Sequence, residues 1–233
     1  MERTERINRL LQKEKYSIED LVEIVEILRS EGGCPWDREQ THESIRNDLI
    51  EETYEVIEAI DTNQTDLLRE ELGDLLFQIL FHAQIEREKG SFVLDDIITD
   101  ISAKMIHRHP HVFGEVTVKN TGEVLSNWEN IKTEEKQRNT VKDKMNAIPP
   151  MLPALMRGQK VVKKSGIYQE TTSEQLLSDL REQIAILGTK SDKSDVSQTL
   201  GSALLTLTAF AQNQGISAEQ SLFEEINRFI DNF

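Results

Sequence analysis

An all-α fold is what this 233-residue sequence predicts. Apolar residues recur at the helical period in one segment after another, strand-like alternation is scarce, and turns containing Gly, Ser or Pro separate the periodic stretches. A chain of this length has room for one large or two small helical domains with a core of useful size.

The first amphipathic segment covers residues 17 to 30, with Ser17 as its N-cap and Ile18, Leu21, Val22, Val25 and Leu28 as its apolar stripe. Gly32-Gly33-Cys34-Pro35-Trp36-Asp37 then forms a loop. Residues 40 to 60 read as one helix, carrying Leu49, Ile50, Tyr54, Ile57 and Ile60 near the helical period, and residues 65 to 88 read as another. Between them Asp61-Thr62-Asn63-Gln64 is polar and turn-like, so the pair folds back as an antiparallel hairpin. A further helix spans residues 94 to 107 and stops ahead of Pro110. Residues 122 to 136 place Trp128 and Lys132 on one helix face. The stretch 142 to 153 contains Pro149, Pro150 and Pro153 and reads as the connection between two halves. Helices over 154–164, 173–187, 194–213 and 218–231 complete the chain.

Composition narrows the function. A formal net charge of −15 argues against a non-specific grip on nucleic acid or on an anionic membrane. The N-terminus lacks the apolar core of a signal peptide and no apolar run approaches membrane-spanning length, so the expectation is a cytoplasmic protein. Cys34 is the sole cysteine, which rules out an intrachain disulfide, and no histidine is placed to activate it. His107, His109 and His111 alternate around Pro110 without helical spacing or a nearby cysteine; a helix-terminal or surface role fits them better than zinc.

The hairpin carries the chemistry. Glu52 and Glu55 lie three apart on the first helix, and Glu71 and Asp74 three apart on the second. Glu55 stands six residues before Asp61 and Glu71 six after Thr65, and Glu52 and Asp74 stand nine from the same two residues. At about 1.5 Å per residue the inner pair sits roughly 9 Å from the bend, and the outer pair is again level. If these faces meet, four carboxylates share one patch. Two such groups about 5 Å apart repel by roughly 3 kcal/mol at an effective dielectric near 20, so the cluster favours protonation or bound cations. Glutamates at this spacing are common on solvated helix faces, but Leu72, Leu75, Leu76, Ile79 and Leu80 make the second helix strongly apolar around Glu71 and Asp74. An all-oxygen set suits Mg²⁺, Mn²⁺ or Ca²⁺ better than zinc. A ferritin-like di-iron bundle would use Glu-x-x-His pairs, and neither Glu52 nor Glu71 has a histidine three residues on.

Several motifs in order carry a family resemblance: CPWDREQT at 34–41, EETYE at 51–55, ELGDLLFQ at 71–78, RHPHVFG at 108–114, NWENIK at 127–132 and LPALMR at 152–157. Together they resemble the MazG nucleoside triphosphate pyrophosphohydrolases over nearly the whole chain. The resemblance implies an all-α fold shared with dimeric dUTPases and phosphoribosyl-ATP pyrophosphatases. It also implies Mg²⁺-dependent hydrolysis of a nucleoside triphosphate to monophosphate and pyrophosphate, with Mn²⁺ as a possible substitute. Carried over, the metal ligands are Glu52, Glu55, Glu71 and Asp74, with Glu51 outside the inner set. Lys104 and Arg108 match the cationic pair that meets the phosphates, and Trp128 and Lys132 the pair at the base and phosphate end. Glu52 and Glu55 are both candidates to take the proton from the attacking water, and the sequence does not separate them. A non-catalytic helical regulator using the same acidic face to bind a nucleotide or a protein is the competing reading.

Relatives of this kind hold two related halves, and the sequence shows a trace of the repeat. Leu200-Gly201-Ser202-Ala203-Leu204-Leu205 aligns with Leu72-Gly73-Asp74-Leu75-Leu76-Phe77, so Thr199 stands for Glu71 and Ser202 for Asp74. Upstream, only Asp179 and Glu182 remain of the EExxE turn. The expected division is a MazG-like catalytic domain over 1–145 and a degenerate, structural one over 146–233. Each would complete a four-helix-bundle-like core by homodimerisation. The base and sugar preferred, and whether the nucleotide is normal or damaged, are not legible.

Overall fold

The computed structural model describes residues 2–135 and 140–233, and among them there are helices and no strands. The chain divides into one compact unit ending at Thr117 and another beginning at Val118. Unit 1 contains α1 (Arg3–Leu11), α2 (Ile18–Arg29), α3 (Pro35–Glu39), α4 (Arg46–Asp61), α5 (Thr65–Lys89), α6 (Leu94–Arg108) and α7 (Pro110–Phe113). Unit 2 contains α8 (Thr121–Glu135), α9 (Val141–Asn146), α10 (Ala154–Ser165), α11 (Ser173–Leu187), α12 (Lys193–Gln214) and α13 (Ala218–Asp231).

The caps explain where many of these helices begin and end. Ser17 accepts from the Asp20 amide while the Asp20 carboxylate accepts from the Ser17 amide at 2.8 Å, a reciprocal box that starts α2. Gly90, at φ +73°, closes α5 in the left-handed conformation that only glycine adopts without cost. The start of α4 departs from the periodicity, which placed it at residue 40. Thr41 and Ser44 bond each other's backbone amides through their hydroxyls, at 2.9 and 3.3 Å, and this local turn competes with helix until Arg46.

Four helices, α1, α3, α7 and α9, lie outside the segments the sequence reading takes as helical. α1 is tied to α2 by Arg6, whose guanidinium pairs with Glu23 at 2.6 Å and Glu26 at 3.0 Å. α3 and α7 are one-turn pieces that begin on Pro35 and Pro110, where the ring presets the backbone and no amide is missed. The stretch 142–153, read as a connection, holds most of α9, opened by a capping box between Thr140 and Asp143. The helix expected over 122–136 runs from Thr121 to Glu135, and Lys136 lies outside the described residues.

In unit 1, Val25 of α2, Ile45, and Leu80, Phe81 and Ile85 of α5 form the core, with Leu21, Val22, Phe77 and Leu94 packed against it. Unit 2 is centred on Val162, Leu176 and Ala209, flanked by Tyr168 and Phe210. A Cβ on Gly158 would come within 3.2 Å of Thr208 Oγ1, so the glycine lets α10 lie close on α12. The sequence division at 145/146 concerns the relatedness of the halves; packing divides the chain earlier, and α8 and α9 belong with unit 2. The succession α4–α5–α6, of 16, 25 and 15 residues, recurs as α11–α12–α13, of 15, 22 and 14. Both long helices end on a left-handed glycine, Gly90 and Gly215.

Each hairpin leaves an apolar stripe uncovered. Leu72, Leu76 and Ile79 of α5 are 49%, 37% and 41% exposed, beside Ile50, Tyr54, Ile57 and Ile60 of α4. On α12 the residues in the same register, Leu200, Leu204 and Leu207, are exposed as well. No helix among the described residues is long and apolar enough to cross a membrane.

Candidate metal centre

The packing of α4 on α5 brings the predicted carboxylates together. Glu52, Glu55 and Glu71 each offer one oxygen, and these atoms lie within 4.8 Å of one another. All three side chains are partly buried, whereas Asp74, one turn along α5 from Glu71, is exposed. Asp74 stands outside the mutual set but close enough to act on two of its members. Burial pushes the Glu52 carboxyl above its ordinary value, and the charges of Asp74, Glu55 and Glu71 push the same way. Glu71 is raised by burial first, then by Glu55, Asp74 and Glu70. The Glu55 carboxylate acts on both of the other two.

This is a donor set of carboxylate oxygens from two helices, already crowded enough to resist ionisation. A divalent cation relieves that repulsion, and hard oxygen ligands select Mg²⁺, Mn²⁺ or Ca²⁺. The residues therefore fit such an ion.

The other predicted residues are distributed over both units. Lys104 and Arg108 lie one turn apart on α6, Lys104 exposed and Arg108 buried. Trp128 and Lys132 lie on α8 in unit 2, both partly buried. In the repeat, the hydroxyls of Thr199 and Ser202 donate to the carbonyls of Asp195, at 2.8 Å, and Gln198, at 3.1 Å, within their own helix. Asp179 and Glu182 are exposed on α11.

One polar cluster beside α5 carried no sequence signal. His42 Nδ1 meets His82 Nδ1 at 2.7 Å, and His42 Nε2 meets Glu86 Oε1 at 2.6 Å, tying the segment ahead of α4 to α5. Lys89, His42 and Ser91 hold the Glu86 carboxyl down to about 2, and burial and then His42 keep the His82 imidazole below its ordinary value. His82 and Glu86 are four apart, but His42 is forty residues away, beyond any helical spacing.

Residues 40–113, which include α4, α5 and the carboxylate cluster, match the MazG nucleotide pyrophosphohydrolase domain. Over 217 residues the chain is 36% identical to the nucleoside triphosphate pyrophosphohydrolase/pyrophosphatase MazG of Thermotoga maritima, covering 92% of this chain and 83% of that protein. It is 39% identical over 228 residues to a nucleoside triphosphate pyrophosphohydrolase of Escherichia coli, covering 91% of this chain and 84% of the relative. An uncharacterised Bacillus subtilis protein, YabN, is 50% identical over 141 residues, which is 60% of this chain and 28% of that one.

Proposed function

From the premise that this chain belongs to the MazG nucleotide pyrophosphohydrolase family, we propose that it hydrolyses nucleoside triphosphates to monophosphate and pyrophosphate. The proposed reaction is Mg²⁺-dependent attack of water at the α-phosphorus. The observation that carries this reading is the convergence of Glu52, Glu55 and Glu71 on one point, with Asp74 beside them.

Glu52, Glu55, Glu71 and Asp74 would hold the cation, which Mn²⁺ also fits. Bound Mg²⁺ supplies a Lewis acid that neutralises charge on the phosphoryl oxygens as the α-phosphorus is attacked. The protein's own part is to fix the polyphosphate and move a proton. Lys104 and Arg108 of α6 meet the phosphate oxygens, where fixed cations favour the charge that develops on the departing pyrophosphate. Trp128 offers a flat apolar face for the base, and Lys132 a cation at the phosphate end. Glu52 or Glu55 takes the proton from the attacking water.

Purified protein given nucleoside triphosphates and Mg²⁺ in ¹⁸O-enriched water should release pyrophosphate and a labelled monophosphate. Label in pyrophosphate would move the attack to the β-phosphorus, and binding without turnover would leave a regulator. A panel of ordinary, deoxy and oxidised triphosphates identifies the nucleotide preferred.

The second domain expected over 146–233 is proposed to keep the fold without a catalytic metal site of its own. Hydroxyls replace two of the four carboxylates, and both hydroxyls are engaged with their own helix. Asp179→Ala with Glu182→Ala should leave turnover within about twofold of the parent; a large loss in steady-state kinetics would show that the α11–α12 hairpin takes part in catalysis. The uncovered stripes on α4, α5 and α12 fit a homodimer in which hairpins from two copies complete a four-helix core. Light scattering at micromolar concentration should give twice the 26.7 kDa chain mass, and a monomer would refute the pairing.

A further inference from the structure

In unit 2, Lys132 and Thr133 of α8, Lys144 of α9 and Lys164 of α10 line a pocket of about 20 Å³ around the carboxylate of Glu129. That is room for one water or one phosphoryl oxygen. Lys164 is paired with Glu129. Burial pushes the Glu129 carboxyl up, but the Lys164 hydrogen bond and the charges of Lys164, Lys132 and Lys144 bring it below its ordinary value. Three ammonium groups thus act on one carboxylate.

The arrangement is not a solvated charge run. The lysines come from three different helices and all three are partly buried. Lysine side chains are long enough to separate into water when nothing favours their grouping. A chain with a formal net charge of −15 repels a polyphosphate at long range, so a local excess of positive charge is what would admit one. The Thr133 hydroxyl is engaged with the Glu129 carbonyl at 2.8 Å, so it is ammonium groups that this pocket would turn toward an anion.

We infer that this pocket is an oxyanion subsite for a terminal phosphoryl group, bound by Lys144 and Lys164 together with Lys132, with Glu129 as the internal counter-ion that the phosphate displaces. The inference deepens the proposed function and rests on it in one respect, that the anion is a polyphosphate.

Calorimetric titration of inorganic pyrophosphate into the full-length protein, in chelator and at fixed ionic strength, isolates the subsite, because without metal the carboxylate cluster repels the anion. Lys144→Gln with Lys164→Gln should weaken binding about tenfold. Glu129→Gln should tighten it severalfold, since a competing carboxylate is gone. A purely structural ion-pair cluster predicts the reverse for Glu129→Gln: lower stability and no gain in affinity. Lys144→Gln alone keeps the Lys164 pair and should still weaken binding about threefold, so the test survives a double variant that fails to fold. Unchanged affinity in the lysine variants, no gain in E129Q, or no pyrophosphate binding by the parent would each overturn the subsite. Turnover by the parent is scored separately: its presence with an unchanged lysine series sinks the subsite alone, and its absence sinks the proposed activity.

Discussion

Glu55→Gln is expected to lower Mg²⁺-dependent turnover by about two to three orders of magnitude while raising the thermal midpoint of the metal-free protein. Both effects follow from the place of Glu55 beside Glu52 and Glu71, whose carboxyls burial pushes above their ordinary values first and the neighbouring charges, Glu55 among them, push further. An amide of the same shape keeps an oxygen but loses the charge, so the cation is held less well and the repulsion falls. Glu52 and Glu71 bind their protons more tightly in the folded chain than in the unfolded one. Their contribution is therefore favourable below the ordinary glutamate value and turns into a penalty as pH rises through the raised folded values. In metal-free parent, stability should decline over that range, and E55Q should flatten the decline. Adding Mg²⁺ should raise the parent's midpoint, because an ion that binds only the folded state stabilises it by mass action; E55Q should show little of this rise. Paired calorimetric scans with and without Mg²⁺ measure both. A variant that keeps turnover, or whose metal-free midpoint falls, would remove Glu55 from the ligand set.

The hairpin was legible because two independent periodicities agreed on it. Apolar residues fixed the helices, the polar turn at 61–64 fixed their reversal, and equal distances from that turn then fixed which carboxylates meet. Asp74 is the looser member: counting residues makes it level with Glu52, and its charge acts on Glu52, but it is exposed and stands outside the mutual set. Its direction depends on how α5 rotates against α4, which spacing does not encode. The late start of α4 was hidden for a related reason, since Thr41 and Ser44 satisfy backbone amides by side-chain bonds that no hydrophobic pattern records. The lysine pocket and the His42–His82–Glu86 cluster were invisible because their members come from separate elements. Sequence gives the faces of helices; it gives contacts between them only where a short turn enforces the register.

Arg29→Ala should destabilise unit 1 by about 2–3 kcal/mol, near the lower end of what breaking a buried ion pair costs. The Arg29 side chain is only 5% exposed. Its guanidinium forks onto Glu88 with bonds of 2.9 and 2.8 Å, donates to the Asp37 carbonyl at 2.6 Å and the Gln40 carbonyl at 3.2 Å, and lies 5.0 Å from the centre of the Phe81 ring. One side chain thus joins α2 to α5, and both to the C-terminal end of α3. Truncation leaves two carbonyls without this donor, and Phe81, at the centre of the core, loses its cover. Glu88 keeps some access to water, at 37% exposed, which is why the full cost of a stranded charge does not apply. In a chain of this size, about 2–3 kcal/mol corresponds to a midpoint lower by roughly 4–12 °C. Arg29→Lys separates charge from geometry: an ammonium can reach one or two of these acceptors but cannot fork, so it should recover less than half of the loss. Denaturant unfolding of the three proteins measures the series. Equal midpoints for parent and R29A would mean that the acid hairpin is held by its apolar core alone, and full rescue by lysine would mean that charge suffices without the fork.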